Sequence, residues 1–414
     1  MRQETVTTAV EGLPAAVSAI PYFVTDWPDV PMARLDAVAE AIHGLRARAI
    51  GYPNNQNTDL EEFYRWYEKS KLFEVALNNV GDPRQPSIFV LNTHQLENEV
   101  IDFFAPLYGF SLEDCWGMVT NSGTDGNMHG MYFGVKTLQH ATRELPICYV
   151  SEEAHYSIKR LADLMNLELR LIKTDKSGRM RVAEFERVLE PTRAALVVVA
   201  MGTTFKGAID DRAAINAVVQ EKKPVGVYVH LDAALFGGYL PFTTHRDLVD
   251  RRVASFDSIA VSGHKFFGSD EPMGLFLTTK ATVKRTNPFK VTYLNEAVPT
   301  ISCSRSALSV LKFWWKVQKT GKAGFEEQAQ AILAMAQYLK GQLDKLGHEA
   351  WRDEHSNTVY FHRPAEAIMK KYDLAPDNDD RLGGALAHIV VMQHVTVELV
   401  DHFIDDLKAG GLNA

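Results

Sequence analysis

The chain has 414 residues, of which 46% are hydrophobic and 23% charged; this excludes a disordered protein and suits a large α/β domain with a smaller second domain. Its net charge of −8 argues against a nucleic-acid-binding surface, because such a surface needs basic residues facing phosphates. The ligand is therefore expected to be a small molecule, and no nucleic acid is expected as a partner.

Neither a membrane segment nor a secretory signal is expected. The longest apolar runs, such as Ala195–Met201, fall short of the roughly 18 residues that cross a bilayer. The N-terminus is polar where a secretory signal needs an apolar core. Three cysteines lack the spacing typical of a zinc site or a disulfide framework: Cys115, Cys148 and Cys303. These features predict a cytoplasmic protein with reduced thiols, no metal site and no membrane partner.

The first predicted element is an N-terminal arm with a helix, within residues 1–50. The helix is predicted from about Met32 to Arg48, because apolar residues recur on one face: Leu35, Val38, Ala39, Ile42 and Leu45. Residues 51–298 form the predicted large domain, in which short apolar runs alternate with helical segments. The runs are Trp116–Thr120, Ile147–Val150, Leu169–Ile172, Ala195–Ala200, Val225–Leu231, Ser258–Val261 and Gly274–Leu277. Apolar character on both faces suits a largely parallel sheet with helices on each side.

Residues 299–414 form the predicted small C-terminal domain. A long helical region around Phe325–Leu346 precedes two strand-like runs, Thr358–His362 and Ala387–Met392. This order of elements indicates an α+β domain.

A polar turn at Thr120–Asn127 follows the first predicted strand and precedes a helix predicted to start near Asn127. Glycines let backbone N–H groups approach an anion, hydroxyl groups add donors, and a helix N-terminus carries a partial positive charge. The turn is therefore a candidate phosphate cradle, although the same residues are common in an ordinary helix N-cap.

Single polar residues follow two of the later strands. His155 comes after the strand that ends near Val150, where an imidazole can stack on a flat ligand or simply support the next helix. Asp232 ends another apolar strand and can either pair with a protonated pyridine nitrogen or cap the following helix. A metal site at His230 and Asp232 is not favoured, because no further ligands are spaced to join them.

Lys265 follows the apolar strand Ser258–Val261 and a short polar cluster. A lysine at an apolar strand end is costly unless its amine is neutral or paired, and imine formation with an aldehyde requires a neutral amine. The alternative is a solvated side chain that extends outward. All four features follow successive strands, at the edge where parallel sheets present ligand sites, so a shared site is the favoured interpretation.

These residues resemble the motifs of the pyridoxal 5′-phosphate (PLP)-dependent amino-acid decarboxylases of fold type I, in particular the bacterial histidine decarboxylase and plant serine decarboxylase branch. The matching blocks, in order over nearly the whole chain, are Tyr52–Asn57, Asn78–Pro83, Trp116–Asn127, His155–Ser157, Gly202–Ala208, Asp232–Gly237 and Val261–Lys265. The resemblance implies an α/β fold of the fold-type I PLP-dependent transferase class. Such a fold has a large domain with a mainly parallel seven-stranded sheet flanked by helices, plus a smaller α+β C-terminal domain.

The resemblance also implies PLP as cofactor and a role for each matching residue. Lys265 would hold PLP as a Schiff base, Asp232 would pair with the pyridine nitrogen, and His155 would stack on the ring. The phosphate-binding residues would be Ser122, Gly123, Thr124, Ser262 and His264.

Three further expectations follow from the resemblance. Thr204 would lie near the ring hydroxyl and Ala234 against the ring face. Tyr293 resembles a mobile-loop tyrosine that delivers a proton after carbon dioxide leaves. The expected assembly is a homodimer with active sites at the subunit interface.

The sequence departs from the family pattern at several positions. Relatives usually have Gly-Ser-Arg-Asn-Gly-His where this chain has Cys303–Leu308, so only Ser304 and Arg305 match. A proline-rich segment is replaced by Gly268–Gly274, whose added carboxylates, Asp270 and Glu271, suit either a cationic substrate or a solvated loop. Asp125 replaces a usual glutamate and Ser122 a common glycine. The lysine, aspartate and histidine motifs remain, so cofactor chemistry is expected to be intact.

The predicted activity is decarboxylation of a small L-amino acid, histidine- or serine-like, to its amine and carbon dioxide. The substrate pocket is expected to include Tyr52–Asn57 and Ser87–His94. One alternative is decarboxylation-dependent oxidative deamination to an aldehyde by reaction with oxygen. Another is a non-catalytic PLP-binding homologue.

Overall fold

A computed structural model of the chain describes residues 32–286, 289–292, 294 and 296–410. The described helices are α1 Met32–Arg46, α2 Glu61–Ser70, α3 His94–Phe104, α4 Gly123–Thr142, α5 Tyr156–Leu164, α6 Val182–Val188, α7 Arg212–Lys222, α8 Lys280–Arg285, α9 Ala307–Leu346, α10 Glu366–Lys371 and α11 Val397–Ala409. The described strands are β1 Asn79–Val80, β2 Cys115–Thr120, β3 Ile147–Ser151, β4 Glu168–Ile172, β5 Ala195–Ala200, β6 Val227–Asp232, β7 Ser258–Ser262, β8 Gly274–Thr279, β9 Phe289–Val291, β10 Glu296–Val298, β11 Ser304–Arg305, β12 Ala350–Trp351, β13 Thr358–His362, β14 Ala375–Asp379 and β15 Gly384–Val390.

Helix α1 belongs to a unit that ends at Ala47, and the rest of the chain forms a second compact unit. The helix confirms the element predicted near Met32. None of its residues is buried, so its apolar stripe from Leu35 to Leu45 lies exposed in the single chain. Among the described residues, no helix combines the length and apolarity that crossing a bilayer requires.

The larger sheet has seven strands in the order β2-β8-β7-β6-β5-β3-β4. Strand β8 runs antiparallel to both of its neighbours, β2 and β7, while the pairs from β7 through β4 are parallel. The mainly parallel seven-stranded sheet is therefore confirmed. Strands β2, β3, β5, β7 and β8 are buried along their whole length, because elements cover both faces, and this explains their continuous apolar sequences.

Helix α4 lies close against the sheet because glycines occupy the face that it turns toward the strands. A Cβ atom on Gly126 would come within 2.9 Å of the Ala260 side chain, and one on Gly130 within 2.2 Å of the His230 ring. Gly134 continues the same face one turn later. Because these glycines permit a close approach, the N-terminus of α4 can reach the carboxyl ends of the central strands.

The C-terminal part contains an antiparallel sheet in the order β12-β13-β15-β14, packed with α9 and α11. It confirms the predicted α+β content. Helix α9 begins at Ala307 and is interrupted at Gly321, whose φ of 61° departs from helical geometry. The helix predicted around Phe325–Leu346 corresponds to the part after this interruption. Ile50 bonds to Tyr372 and Val390 through its backbone, so the chain joins this sheet just before residue 51. The boundaries at residues 51 and 299 stay predictions.

The close packing of α4 predicts a large effect of one methyl group. We expect Gly130→Ala to lower the free energy of unfolding by about 1–3 kcal/mol, because the added Cβ overlaps the His230 ring. The matched control is Gly341→Ala in α9, where nothing lies within 4 Å of a new Cβ and the higher helix propensity of alanine is expected to stabilise the protein by about 0.5–1 kcal/mol. Urea denaturation measures both changes, and equal stabilities of the two variants would contradict the packing argument.

Candidate active site

A cavity of about 250 Å³ opens where strands β5, β6 and β7 end. All ten residues that the sequence predicted to bind the cofactor line this cavity: Ser122, Gly123, Thr124, His155, Thr204, Asp232, Ala234, Ser262, His264 and Lys265. Six further residues line the cavity and were not predicted individually: Pro53, Asn127, Ala200, Gly202, Leu235 and Pro272. Tertiary structure thus brings together residues from seven separate segments of the chain.

The N-terminus of α4 forms one end of the cavity. Ser122 caps the helix by accepting a hydrogen bond from the Asp125 backbone N–H at 3.1 Å, so the N-cap interpretation is correct, and the helix starts at Gly123 rather than near Asn127. A Cβ on Gly123 would lie 2.2 Å from the Ser262 hydroxyl oxygen. Only glycine therefore fits there, and the turn offers hydroxyl groups and helix-terminal N–H groups to an anion. The cap and the cradle are the same structure.

His264 borders this anion cradle at the end of β7. Its Nδ1 lies 3.1 Å from the Met273 carbonyl oxygen, so Nδ1 must donate the hydrogen bond, which fixes the ring. Burial lowers the pKa of His264, and the positive charge of Lys265 lowers it further.

Lys265 and Asp232 lie in the same cavity, at the ends of neighbouring strands β7 and β6. Burial lowers the pKa of the Lys265 amine below its ordinary value, and the negative charge of Asp232 acts in the opposite direction. Because Lys265 lines the cavity, the structure favours the cavity-facing interpretation over an outward-pointing, solvated side chain. Asp232 is buried and accepts a bond from the Ala234 backbone N–H at 3.3 Å, which orients the carboxylate. An amine of lowered pKa beside a carboxylate suits condensation with an aldehyde.

His155 contributes a neutral ring to the cavity wall. Its Nδ1 accepts the backbone N–H of Ser157 at 3.3 Å and lies 2.7 Å from the Ser157 hydroxyl oxygen, so its proton is on Nε2. Burial lowers the pKa of His155, the Asp232 charge raises it and the Lys265 charge lowers it. A neutral imidazole held at the cavity wall suits stacking against a flat ring.

Thr204 lies on the loop between β5 and α7, which closes on itself. Backbone bonds join Gly202 and Thr203 to Ala208. Asp210 accepts the N–H groups of Ala200 and Met180 at 3.0 and 2.8 Å, and burial raises the pKa of this carboxyl to about 6. The loop therefore holds its own shape.

The loop that carries Thr204 also docks on the C-terminal sheet. His388 of β15 donates through Nδ1 to the Phe205 carbonyl oxygen at 2.6 Å, and the two rings stack with centroids 4.5 Å apart. A Cβ on Gly207 would lie 2.3 Å from the Ser356 hydroxyl oxygen. The C-terminal part thus supports the site, a contribution that no local sequence pattern reveals.

His230 is an interior residue. Its Nε2 lies 3.0 Å from the Asn127 amide oxygen and its Nδ1 2.8 Å from the Ser258 hydroxyl oxygen, and burial lowers its pKa to about 4. In the part of the chain that the structure describes, no cluster of histidine, cysteine, aspartate or glutamate could hold a metal ion.

The carboxylates of Asp270 and Glu271 bind Lys312, a buried lysine of α9. Its Nζ lies 2.8 Å from Asp270 and 3.2 Å from Glu271. Tyr64 also donates to Asp270, and Ser309 to Glu271 at 2.9 Å. Both carboxylates lie on a loop and are about one-third exposed, at 30% and 36%, as a solvated loop predicts. Their pairing with Lys312 argues against the other interpretation, a site for a cationic substrate.

Arg305 and Glu97 form a buried ion pair near the phosphate cradle. Glu97 also accepts from the Val119 backbone N–H at 2.8 Å and from the Asn79 side-chain amide at 2.9 Å. Strand β2 ends at Thr120, just before the cradle, so this pair anchors the strand that leads into it. The matching Arg305 therefore has a structural position, outside the cavity.

Two segments and one tyrosine were also predicted to act on the substrate: Tyr52–Asn57, Ser87–His94 and Tyr293. Pro53 of the Tyr52–Asn57 segment lines the cavity, and Asn55 donates to the Phe266 carbonyl oxygen at 3.2 Å next to Lys265. No residue of Ser87–His94, all of which the structure describes, lines the cavity in the single chain. Tyr293 lies outside the described residues.

The chain resembles known proteins in both sequence and fold. Residues 93–362 match the pyridoxal-dependent decarboxylase conserved domain. The chain is 30% identical to a histidine decarboxylase of Mesorhizobium japonicum, covering 91% of this chain and 97% of the relative. It is 32% identical to serine decarboxylase 1 of Oryza sativa subsp. japonica, covering 86% and 71%.

Solved structures of similar fold include L-methionine decarboxylase from Streptomyces sp. 590 in its internal aldimine form. That match has a TM-score of 0.78 and 20% identity and covers 92% of this chain and 96% of that one. Glutamate decarboxylase of Lactobacillus brevis matches with a TM-score of 0.76 and 20% identity, covering 96% of both chains.

The charge coupling between Lys265 and Asp232 is testable without any ligand. Cyanate carbamylates only a neutral amine, so we expect modification of Lys265 with a pH midpoint below the ordinary lysine value. Asp232→Asn is expected to lower the midpoint further, because it removes the negative charge that favours the ammonium form. Peptide mass spectrometry across a pH series measures the midpoint, and the exposed Glu366→Gln is the control. The same midpoint in Asp232→Asn and the wild type would refute the coupling.

Proposed function

We propose that the substrate of this protein is a small L-amino acid, histidine- or serine-like. The chain belongs to the pyridoxal-dependent decarboxylase family. It is a PLP-dependent carboxy-lyase that forms an amine and carbon dioxide from an amino acid. The observation that carries this proposal is the shared cavity of Lys265, Asp232 and His155 beside the N-terminus of α4. It combines an amine of lowered pKa, a carboxylate, a neutral ring and an anion cradle.

The lining residues fit PLP at each of its functional groups. Ser122, Gly123 and Thr124, with Ser262 and His264, would hold the phosphate; the space that any Cβ on Gly123 would fill supports this assignment. Thr204 would lie near the ring hydroxyl and Ala234 against the ring face. When bound, PLP accepts the electron pair that departing carbon dioxide leaves on the substrate α-carbon.

The catalytic side chains act around that cofactor. Lys265 would bond the cofactor aldehyde carbon through Nζ and release it to the substrate amine. Asp232 would keep a proton on the pyridine nitrogen, and His155 would stack on the ring and exclude water from that side. We assign delivery of a proton to the substrate α-carbon to the Tyr293 hydroxyl, with the Lys265 amine as the other donor.

The charges around the cavity favour an uncharged or weakly basic substrate side chain. Among its described lining residues, Asp232 is the one carboxylate and Lys265 the one primary amine, and both have roles toward the cofactor. Asp270 and Glu271 pair with Lys312. A fixed partner for a strongly charged substrate side chain is thus missing from this lining.

We also propose a homodimer with active sites at the subunit interface. The exposed apolar surface of the single chain supports it: Leu35, Val38 and Ile42 on α1, and the run Ile88–Leu91, are each more than one-third exposed. The run Ile88–Leu91 belongs to the segment predicted to contribute to a substrate pocket, although it lies outside the cavity of its own chain. Sedimentation equilibrium tests the assembly, and a monomer at micromolar concentration would contradict it.

We also propose that the protein is located in the cytoplasm. Cys115 and Cys148 are buried free thiols, and Cys303 is an exposed free thiol, as is usual in a reducing compartment. Fractionation of cells that express the protein tests the location, and recovery outside the cytoplasm would contradict it.

The proposed reaction predicts amine formation that depends on Lys265. With PLP and each common L-amino acid supplied in turn, we expect one small substrate to give equal amounts of amine and carbon dioxide. Lys265→Ala is expected to abolish amine formation while keeping the native circular dichroism spectrum, and the exposed Lys345→Ala serves as a control that keeps full activity. Wild-type amine formation by Lys265→Ala would eliminate the mechanism. PLP binding with no turnover of any amino acid would instead favour the non-catalytic alternative.

The role assigned to Tyr293 predicts a change of product. We expect Tyr293→Phe to slow amine formation about 10²-fold or more, as for loss of a general acid. Slower protonation of the α-carbon leaves more time for oxygen to react, so aldehyde, ammonia and peroxide are expected to rise. Product analysis under air and under nitrogen measures both effects, with the surface variant Tyr338→Phe as control. If the wild type itself forms mainly aldehyde and peroxide, oxidative deamination is the native reaction.

A further inference from the structure

Four charged residues form a cluster beside the cavity: Lys206, Glu153 and Asp379, which are largely buried, and Arg381, which is partly exposed. The Lys206 side chain is 1% exposed, and its Nζ contacts Glu153 at 2.6 Å and Asp379 at 2.5 Å. Arg381 also binds both carboxylates, with distances of 3.1 Å to Glu153 and 2.7 Å to Asp379. Two positive and two negative charges therefore balance inside what we call the Lys206 cluster.

The Lys206 cluster joins two loops of the cavity to the C-terminal sheet. Glu153 precedes His155 by two residues on the loop after β3, and Lys206 follows Thr204 by two residues on the loop after β5. Asp379 ends strand β14 of the C-terminal sheet. Each cavity residue, His155 and Thr204, is thus two residues from a charge that is fixed to a third part of the molecule.

A turn at Gly178 covers the cluster. Its φ is +88°, and an added Cβ would lie 3.1 Å from Lys206 Cδ and 3.4 Å from a carboxylate oxygen of Glu153. The same turn is held by Arg381, which donates to the Thr174 carbonyl oxygen at 2.8 Å. Little room remains for the ammonium group to take another position, so the cluster has one geometry.

The conformation of the Thr204 loop is fixed by contacts other than the Lys206 cluster. That loop is closed by its own backbone bonds and by Asp210, which binds the N–H groups of Ala200 and Met180. Nor does net stability explain the buried charges well, because a buried ion pair often stabilises no more than apolar side chains of similar volume. What the ion pairs add is a fixed position of the Thr204 loop relative to the His155 loop.

We propose that Lys206 is a positioning residue for the cofactor site. By binding Glu153 and Asp379 together, it fixes His155 and Thr204 relative to each other, so that the cofactor ring meets both at once. This inference rests on the proposed function, since it takes from there the roles of His155 and Thr204 toward PLP. It adds that the C-terminal sheet, through Asp379, helps to set the affinity for PLP and the surroundings of the bound cofactor ring.

The test replaces the ammonium group without leaving an unbalanced buried charge. Lys206→Met alone leaves two carboxylates facing Arg381 and is prone to unfold, because breaking a buried pair is strongly destabilising. The double variant Lys206→Met/Asp379→Asn leaves Glu153 paired with Arg381, and the cluster stays neutral. The matched control is the double variant Arg179→Met/Asp353→Asn, which removes an ion pair of 2.7 Å without leaving either charge unpaired. That pair joins the same turn to the C-terminal part and includes no residue of either cavity loop.

Two readouts separate positioning from general stability. Titration of apoprotein with PLP gives the dissociation constant, and the visible absorbance of the bound cofactor as a function of pH gives its titration midpoint. For the double variant we expect weaker PLP binding by about tenfold or more, as for misplaced contact groups, together with a shifted absorbance midpoint. The Arg179→Met/Asp353→Asn control is expected to keep both wild-type values.

The outcomes are distinct. A folded double variant, with a wild-type unfolding transition, that binds PLP with unchanged affinity and an unchanged absorbance midpoint overturns the positioning role while leaving the proposed function intact. An equal loss of affinity in Arg179→Met/Asp353→Asn also overturns it, because the effect would then reflect any ion pair of that turn. Failure of the wild type to bind PLP would overturn the proposed function itself, and the positioning role with it.

Discussion

Lys265 and Asp232 must share a confined space at the ends of two neighbouring strands, and much of the molecule is organised around that requirement. Either charge buried alone would be costly, whereas the two together offset part of each other's desolvation. Burial still dominates at the amine, whose pKa is lowered despite the carboxylate. Parallel pairing of β6 and β7, with Asp232 opposite Ala260, sets the separation of the two groups. The amine can therefore be reactive while its partner remains close.

The anion cradle depends on a different constraint, the distance between α4 and the sheet. Glycine at positions 126, 130 and 134 removes the side chains that would hold the helix away, and Gly123 leaves room for the Ser262 hydroxyl. The helix terminus and the end of β7 can then face one small volume. Residues that look like a flexible turn in the sequence are in fact the first turn of a tightly packed helix.

The C-terminal sheet contributes structure to a site formed mainly by the larger sheet. His388 binds the loop of Thr204, Asp379 binds Lys206, and Gln393 donates to the Phe266 carbonyl oxygen next to Lys265. Because these contacts cross between the two sheets, the cavity is sensitive to how the C-terminal part packs. A change in that packing would therefore displace the loops that carry Thr204 and Lys265.

The amino-acid sequence alone determined the approximate positions of the seven strands of the larger sheet and the residues that follow them, but not short strands such as β12 and β14. Buried parallel strands need apolar side chains on both faces, and this is a local pattern. It places His155, Asp232 and Lys265 after strand ends, where ligand sites form, whereas their proposed roles rest on the family resemblance. Tertiary structure alone decided the start of α4, the pairing of Asp270 and Glu271 with Lys312, and the Lys206 cluster. Lys206 is 53 residues from Glu153 and 173 from Asp379, and a contact over such separations follows from how the sheets pack, since no periodicity along the chain encodes it.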